Sequence, residues 1–199
     1  MSRRMGVHAR LGMNPDSVTV TGGCLQYWTS ASTTTDGWHN TNTNPSGEPF
    51  TNYEAYFGRN ASKIYHNAAV CFKTGKFTGK GKRVSVSVTV QQTAWGNGVA
   101  YEAQLSRHDW STAAKWSAGS KEHYSSSMTA LPSDPNAVAS KTGSVPLNNG
   151  NQTLTLSFDA EILPETEYVI YIIGTSGTSG QLVMLVKTAD YAPTITVTG

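Results

Sequence analysis

Five aromatic residues, Trp38, Tyr53, Trp95, Trp110 and Trp116, fall in or beside stretches rich in Ser, Thr, Asn and Gly, a loop composition. Sugar rings present apolar C–H faces that stack on such side chains, while Asn, Gln and Asp bond the hydroxyls. The same aromatics serve equally as anchors of protein interfaces, or fold inward to cap the ends of a domain. Trp28 sits in a strand-like context and reads as core.

The acids offer less. A glycosidase needs two carboxylates held roughly 5–10 Å apart across the scissile bond. Asp159 with Glu161, and Glu165 with Glu167, lie around a turn, where acids are ordinarily solvated charges; Glu54 and Glu102 lie within strand patterns and are the less ordinary pair. The histidines, His8, His39, His66, His108 and His123, lack the short spacing of a metal motif, and His108 and Asp109, as strand neighbours, point apart. Cys24 and Cys71 have no CxxC spacing; a disulfide between them and two buried thiols both fit. No GxSxG elbow, P-loop or GxGxxG is present. The sequence therefore predicts no catalytic residues, no metal, no cofactor, and a chain that is not an enzyme.

Charge narrows the partners. A net charge of +2 argues against a dedicated nucleic-acid binder. Arg3, Arg4 and Arg10 form one basic cluster. Lys73, Lys76, Lys80, Lys82 and Arg83 form another, around a Gly-rich turn, and read as a charged strand edge that blocks unwanted pairing.

The elements that would position these groups are strands. Leu154, Leu156 and Phe158 alternate with polar residues, as do Val84, Val86, Val88 and Val90, and then Tyr101, Ala103 and Leu105; each set implies a half-buried strand with one core face. Val169-Ile170-Tyr171-Ile172-Ile173 and Leu182 to Val186 are apolar at every position, the pattern of strands buried on both faces. Further strands are expected at 17–21, 53–57, 64–72, 138–145 and 194–197, with Cys24 to Trp28 continuing or pairing with the first. Segment 29–52 reads as a long loop, and 108–136 as irregular, with helical turns beginning at Asp109 or at Ser133-Asp134. The total is about nine or ten strands.

Composition agrees. Charged residues make up 14%, whereas Ser and Thr fill 46 positions, which suits strands and polar loops and disfavours long surface helices. A chain of 199 residues buries roughly 70% of its extended surface, enough for a core without staples. No apolar run reaches the length of a membrane helix, and no apolar stretch typical of a secretory signal follows the basic start, so the expected site of synthesis is the cytosol. The expected organisation is an extended N-terminal arm, 1–16, followed by a single domain, 17–199.

The stretch Ile162-Leu163-Pro164-Glu165-Thr166-Glu167-Tyr168 resembles the tyrosine-corner turn of fibronectin type III and similar sandwiches. The resemblance implies a structural corner built on Pro164, Thr166 and Tyr168, with the tyrosine hydroxyl bonded back to nearby backbone. More broadly, the Gly75–Lys82 turn feeding the Val84–Val90 strand, this corner, the last strand and the Ser/Thr/Asn-rich loops resemble jelly-roll sandwiches of bacteriophage virions (tail proteins, capsid decorations, head fibres) and carbohydrate-binding modules. The resemblance implies an all-β antiparallel sandwich of jelly-roll type. It also implies a non-enzymatic virion structural protein, located in the virion, whose partners are capsid or tail subunits, other copies of itself and host-surface glycans. The arm would dock through Arg3, Arg4 and Arg10. The alternative it implies is a carbohydrate-binding module that uses the loop aromatics.

Overall fold

The computed structural model describes residues 18–21, 24–31, 39–40, 55–59, 65–92, 98–109, 131, 134–146, 150–175, 180–186 and 193–199; the first three stretches, Gln92 and Gln181 are described by backbone alone. The described residues hold twelve strands: β1 (Val18–Thr21), β2 (Cys24–Ala31), β3 (His39–Asn40), β4 (Ala55–Arg59), β5 (Tyr65–Lys73), β6 (Gly81–Gln92), β7 (Val99–Arg107), β8 (Ala137–Val145), β9 (Gln152–Ile162), β10 (Glu167–Gly174), β11 (Gln181–Val186) and β12 (Thr194–Thr198). The protein is an all-β antiparallel sandwich of jelly-roll type, with no helix among the described residues. The arm proposed for residues 1–16, with Arg3, Arg4 and Arg10, lies outside them.

Nine strands form one hydrogen-bonded path, β1-β12-β6-β11-β4-β5-β10-β7-β8, while β2 and β3 extend from β5 and β9 pairs with β6. The sheet curls so that β11 and β4 carry the ladder from a β1-β12-β6-β9 layer to a β2-β5-β10-β7-β8 layer. Alternation dictates what lies between the layers, because side chains on a strand leave it on opposite faces by turns. In the β6–β9 ladder Val84, Val86 and Val88 stand opposite Phe158, Leu156 and Leu154, and all six are buried. Ile195 and Val197 of β12 extend the same rows. From the other layer come Val70 and Phe72, Tyr101, Ala103 and Leu105, and Tyr168, Ile170 and Ile172, all in the same core cluster. The β6–β9 outer face carries hydroxyls that bond in rungs, Ser85 to Ser157 at 2.8 Å and Ser87 to Thr155 at 2.9 Å.

Two departures from the sequence reading have physical causes. Part of segment 29–52 is strand: β2 runs on to Ala31, with Thr29, Ser30 and Ala31 opposite Ala68, Asn67 and His66, and Thr29 also opposite His39 of β3. A polar run hides a strand when its partner supplies the apolar surface. Asp134 to Asn136 form a turn rather than a helix start. The Asp134 carboxylate accepts the Asn136 N–H at 2.8 Å and its carbonyl accepts the Ala137 N–H, which launches β8.

At one crossing the backbone itself is the packing surface. Gly58 adopts φ 115°, and a Cβ on Gly174 would fall 2.3 Å from the Gly58 Cα. Only glycine allows this approach of β10 to β4.

Candidate functional site

Tyr168 opens β10 fully buried, its ring stacked on Phe72 with centroids 5.6 Å apart and planes 18° apart. Its hydroxyl accepts the Leu163 N–H at 2.9 Å. Thr166 donates its hydroxyl to the Pro164 carbonyl at 2.8 Å, and Glu165 takes a left-handed φ of 49° to make the turn. Thr74 clips this corner from the facing loop: its hydroxyl donates to the Leu163 carbonyl at 2.7 Å and accepts the Thr166 N–H at 2.9 Å. Pro164, Thr166 and Tyr168 are thus brought together in a structural role. Thr74, 89 residues before Leu163, was not among the residues singled out from sequence.

The second basic cluster faces acids. Arg83 grips Asp159 with two bonds, 2.6 and 3.1 Å, Lys80 meets Glu161 at 2.7 Å, and Lys76 lies 3.9 Å from Glu165. The Arg83 hydrogen bond is the main influence holding the Asp159 carboxyl below the usual range, with Arg83 and Lys141 charges adding to it. These pairs are exposed, so they add little stability; Arg83 with Asp159 lies within the β6–β9 ladder, Lys80 with Glu161 beside its end, and Lys76 with Glu165 beyond it. They also compensate much of the positive charge that an anion would need.

The opposite face of the β2-β5-β10-β7-β8 layer is where polar groups gather. β5 and β10 are buried on both faces, and their second faces form a separate small cluster of Ala69, Cys71, Val169 and Tyr171, with Leu131 packed on it. The ladders extend this face outward in rows. Ala69 stands opposite Trp28 on one side and Tyr171 on the other; Tyr171 stands opposite Gln104, and Gln104 opposite Ser140. In the next row Asn67 stands opposite Ile173, Ile173 opposite Glu102, and Glu102 opposite Thr142. Trp28 thus shares the row of the second cluster rather than that of Val70 and the main core; its side chain is outside the described residues. Cys71 is a buried thiol in this cluster.

Burial falls along these rows from complete at Tyr171 to half-buried at Glu102 and Gln104, and then to exposed at Ser140 and Thr142. That margin holds a recess lined by Glu102, Leu131, Ser140, Lys141 and Thr142. Lys141 stands opposite Ala103 in the ladder, a main-core row, and its charge acts on Asp159. The Gln104 Oε1 and the Ser106 Oγ, both buried on this face, have no hydrogen-bond partner among the described residues. One end of the face is tied by His108 and Asp134, whose side chains are 1% and 0% exposed and meet at 3.1 Å, with the His108 ring edge-on to Tyr171. The sequence reading set His108 and Asp109 apart as strand neighbours and offered no acid for His108; the structure supplies Asp134, 26 residues on.

Trp38, Tyr53, Trp95, Trp110 and Trp116, the aromatics picked out as glycan or interface groups, lie outside the described residues, as does Glu54. Among the described residues no group of three or more His, Cys, Asp or Glu is arranged to hold a metal ion.

No protein-family model matches the chain, and no curated protein matches its sequence. Among solved structures the chain is similar to TmCBM61 in complex with beta-1,4-galactotriose, at 8% identity and TM-score 0.39, covering 85% of this chain and 86% of that one. It is similar to the xylan-binding module CBM15 at 10% identity and TM-score 0.38, covering 94% and 98%. It is also similar to the enzymatically active domain of bacteriophage CBA120 tailspike protein 4, at 10% identity and TM-score 0.37, covering 89% of this chain and 19% of that one. Likeness at this level fixes no ligand and no partner.

Proposed function

We propose that the protein is a non-catalytic carbohydrate-binding module whose ligand lies along the β7–β8 margin. One observation carries this reading: the recess there combines an apolar wall, Leu131, with the Glu102 carboxylate and the Ser140 and Thr142 hydroxyls, beside the Gln104 amide. That is the mixture a sugar requires, apolar contact for its C–H faces and several acceptors and donors for its hydroxyls. Four other acids, Asp134, Asp159, Glu161 and Glu165, each face a basic partner. Among the described residues lining the recess Glu102 is the one carboxylate, and a single carboxylate suits binding better than the paired acids of hydrolysis. The aromatics picked out from the sequence, Trp38, Tyr53, Trp95, Trp110 and Trp116, are the stacking groups this reading calls for.

The test is calorimetric titration of the full chain with neutral oligosaccharides, alongside Thr142→Val, Trp110→Ala and Trp116→Ala. Binding that weakens by about 1–3 kcal/mol in at least one of these variants, with thermal stability retained, supports the reading. Saturable binding that all three leave unchanged places the ligand elsewhere, and hydrolysis abolished by Glu102→Gln would make the protein an enzyme. Virion attachment, homo-oligomer formation and localisation in a virion were inferred from the arm and from resemblance, and no observation on the described residues favours them.

A further inference from the structure

Glu102 differs from Asp134, Asp159, Glu161 and Glu165 in having no counter-charge among the described residues. Arg83, Lys80, Lys76 and His108 each answer an acid, whereas Glu102 has no hydrogen-bond or ion-pair partner among the described residues. It is half-buried in β7, shares its face with Gln104 two residues on, and lines the recess with Thr142 opposite it. The one cation in the lining, Lys141, occupies a main-core row and acts on Asp159 across the gap between β8 and β9. A half-buried carboxylate without compensation costs folding free energy. It persists where an incoming group satisfies it.

We infer that Glu102 sets the charge specificity of the site: it accepts hydrogen bonds from sugar hydroxyls of neutral glycans and excludes uronate-containing ones. This rests on the glycan-binding reading above. A carboxylate can accept from two adjacent hydroxyls at once, each bond strengthened by its charge. A ligand carboxylate at the same place meets like charge instead. At about 4 Å that repulsion weakens binding by roughly fivefold with water-like screening and by up to roughly a thousandfold with surface-like screening.

The experiment titrates the full chain and Glu102→Gln with neutral xylo- and galacto-oligosaccharides and with oligogalacturonides of matched length, at low and at high salt. Wild type is expected to bind a neutral ligand about tenfold or more tightly than its acidic counterpart, a gap that narrows as salt screens the repulsion. Glu102→Gln is expected to close most of the gap by raising affinity for the uronate, with little salt dependence left in the ratio. Because Gln keeps the size of Glu at a partly solvated position, unchanged melting shows that the comparison is between folded proteins. Equal wild-type affinity for both ligands, or a gap that survives Glu102→Gln, overturns the role of Glu102 while leaving glycan binding intact. Wild type that binds neither ligand overturns both.

Discussion

Replacing Tyr168 by Phe removes one oxygen from the corner and leaves the rest of the core in place. The ring still stacks on Phe72 and stays buried, so no cavity opens. What is lost is the acceptor 2.9 Å from the Leu163 N–H. That amide is partly buried where Thr74 already engages the Leu163 carbonyl. Orphaning a donor of this kind costs about 1–2 kcal/mol, more than the net worth of an average hydrogen bond because the amide is not rehydrated. For a protein of this size each kcal/mol moves Tm by about 2–4 °C, so differential scanning calorimetry should show a fall of about 2–8 °C. Thr74→Val, which strips the acceptor from the Thr166 N–H, should cost a similar amount. The double variant should fall short of the sum, since either loss loosens the same turn. A fall under about 1 °C for Tyr168→Phe, or strict additivity with Thr74→Val, would refute the view that the hydroxyl pins the crossover.

Gly174→Ala should destabilise by about 1–3 kcal/mol or more in urea titration, because its Cβ meets the Gly58 Cα at 2.3 Å and the atoms in its way are all backbone. Burial holds the His66 imidazole below its ordinary value of 6.5, so the unfolded chain takes up this proton first as pH falls. The stability His66 contributes is thus present above pH 6.5 and lost progressively below it, and His66→Gln should flatten that part of a Tm-against-pH profile, whereas an unchanged slope would assign the acid loss to other groups. Gln104→Leu should raise Tm while weakening glycan binding, since it removes a buried acceptor that has no partner among the described residues.

Much of the fold is legible because its main core obeys a period of two. Val84 to Val90, Leu154 to Phe158 and Tyr101 to Leu105 each declare one apolar face, and the ladders put those faces together. Partnership across long separations is another matter. Thr74 at the corner, Asp134 on His108 and the acids opposite the Lys and Arg cluster are joined by how strands lie side by side, which spacing along the chain does not encode. The strand content of 29–52 was hidden for a related reason, since a strand whose own residues are Thr and Ser has no apolar signature to show.

The candidate site was obscured by the very strands that were easiest to recognise. A run apolar at every position, such as Val169 to Ile173, states that both faces are buried but not that they meet different surroundings. Its even-numbered residues join the main core; Val169 and Tyr171 join a second cluster that gives way, across β7, to Gln104 and Glu102. Along β7 the polar residues alternate with Tyr101, Ala103 and Leu105 and look like an ordinary solvated face. Their half-buried state, and the unpartnered Gln104 and Ser106 oxygens among the described residues, emerge only when β10, β7 and β8 are laid together. Unsatisfied polar atoms on a buried margin oppose folding, and a sequence selected for stability alone would place apolar residues there. The part of this margin open to a ligand is the recess at Glu102, Ser140 and Thr142, which is why the β7–β8 margin, rather than the better-packed corner at Tyr168, is the place to look for binding.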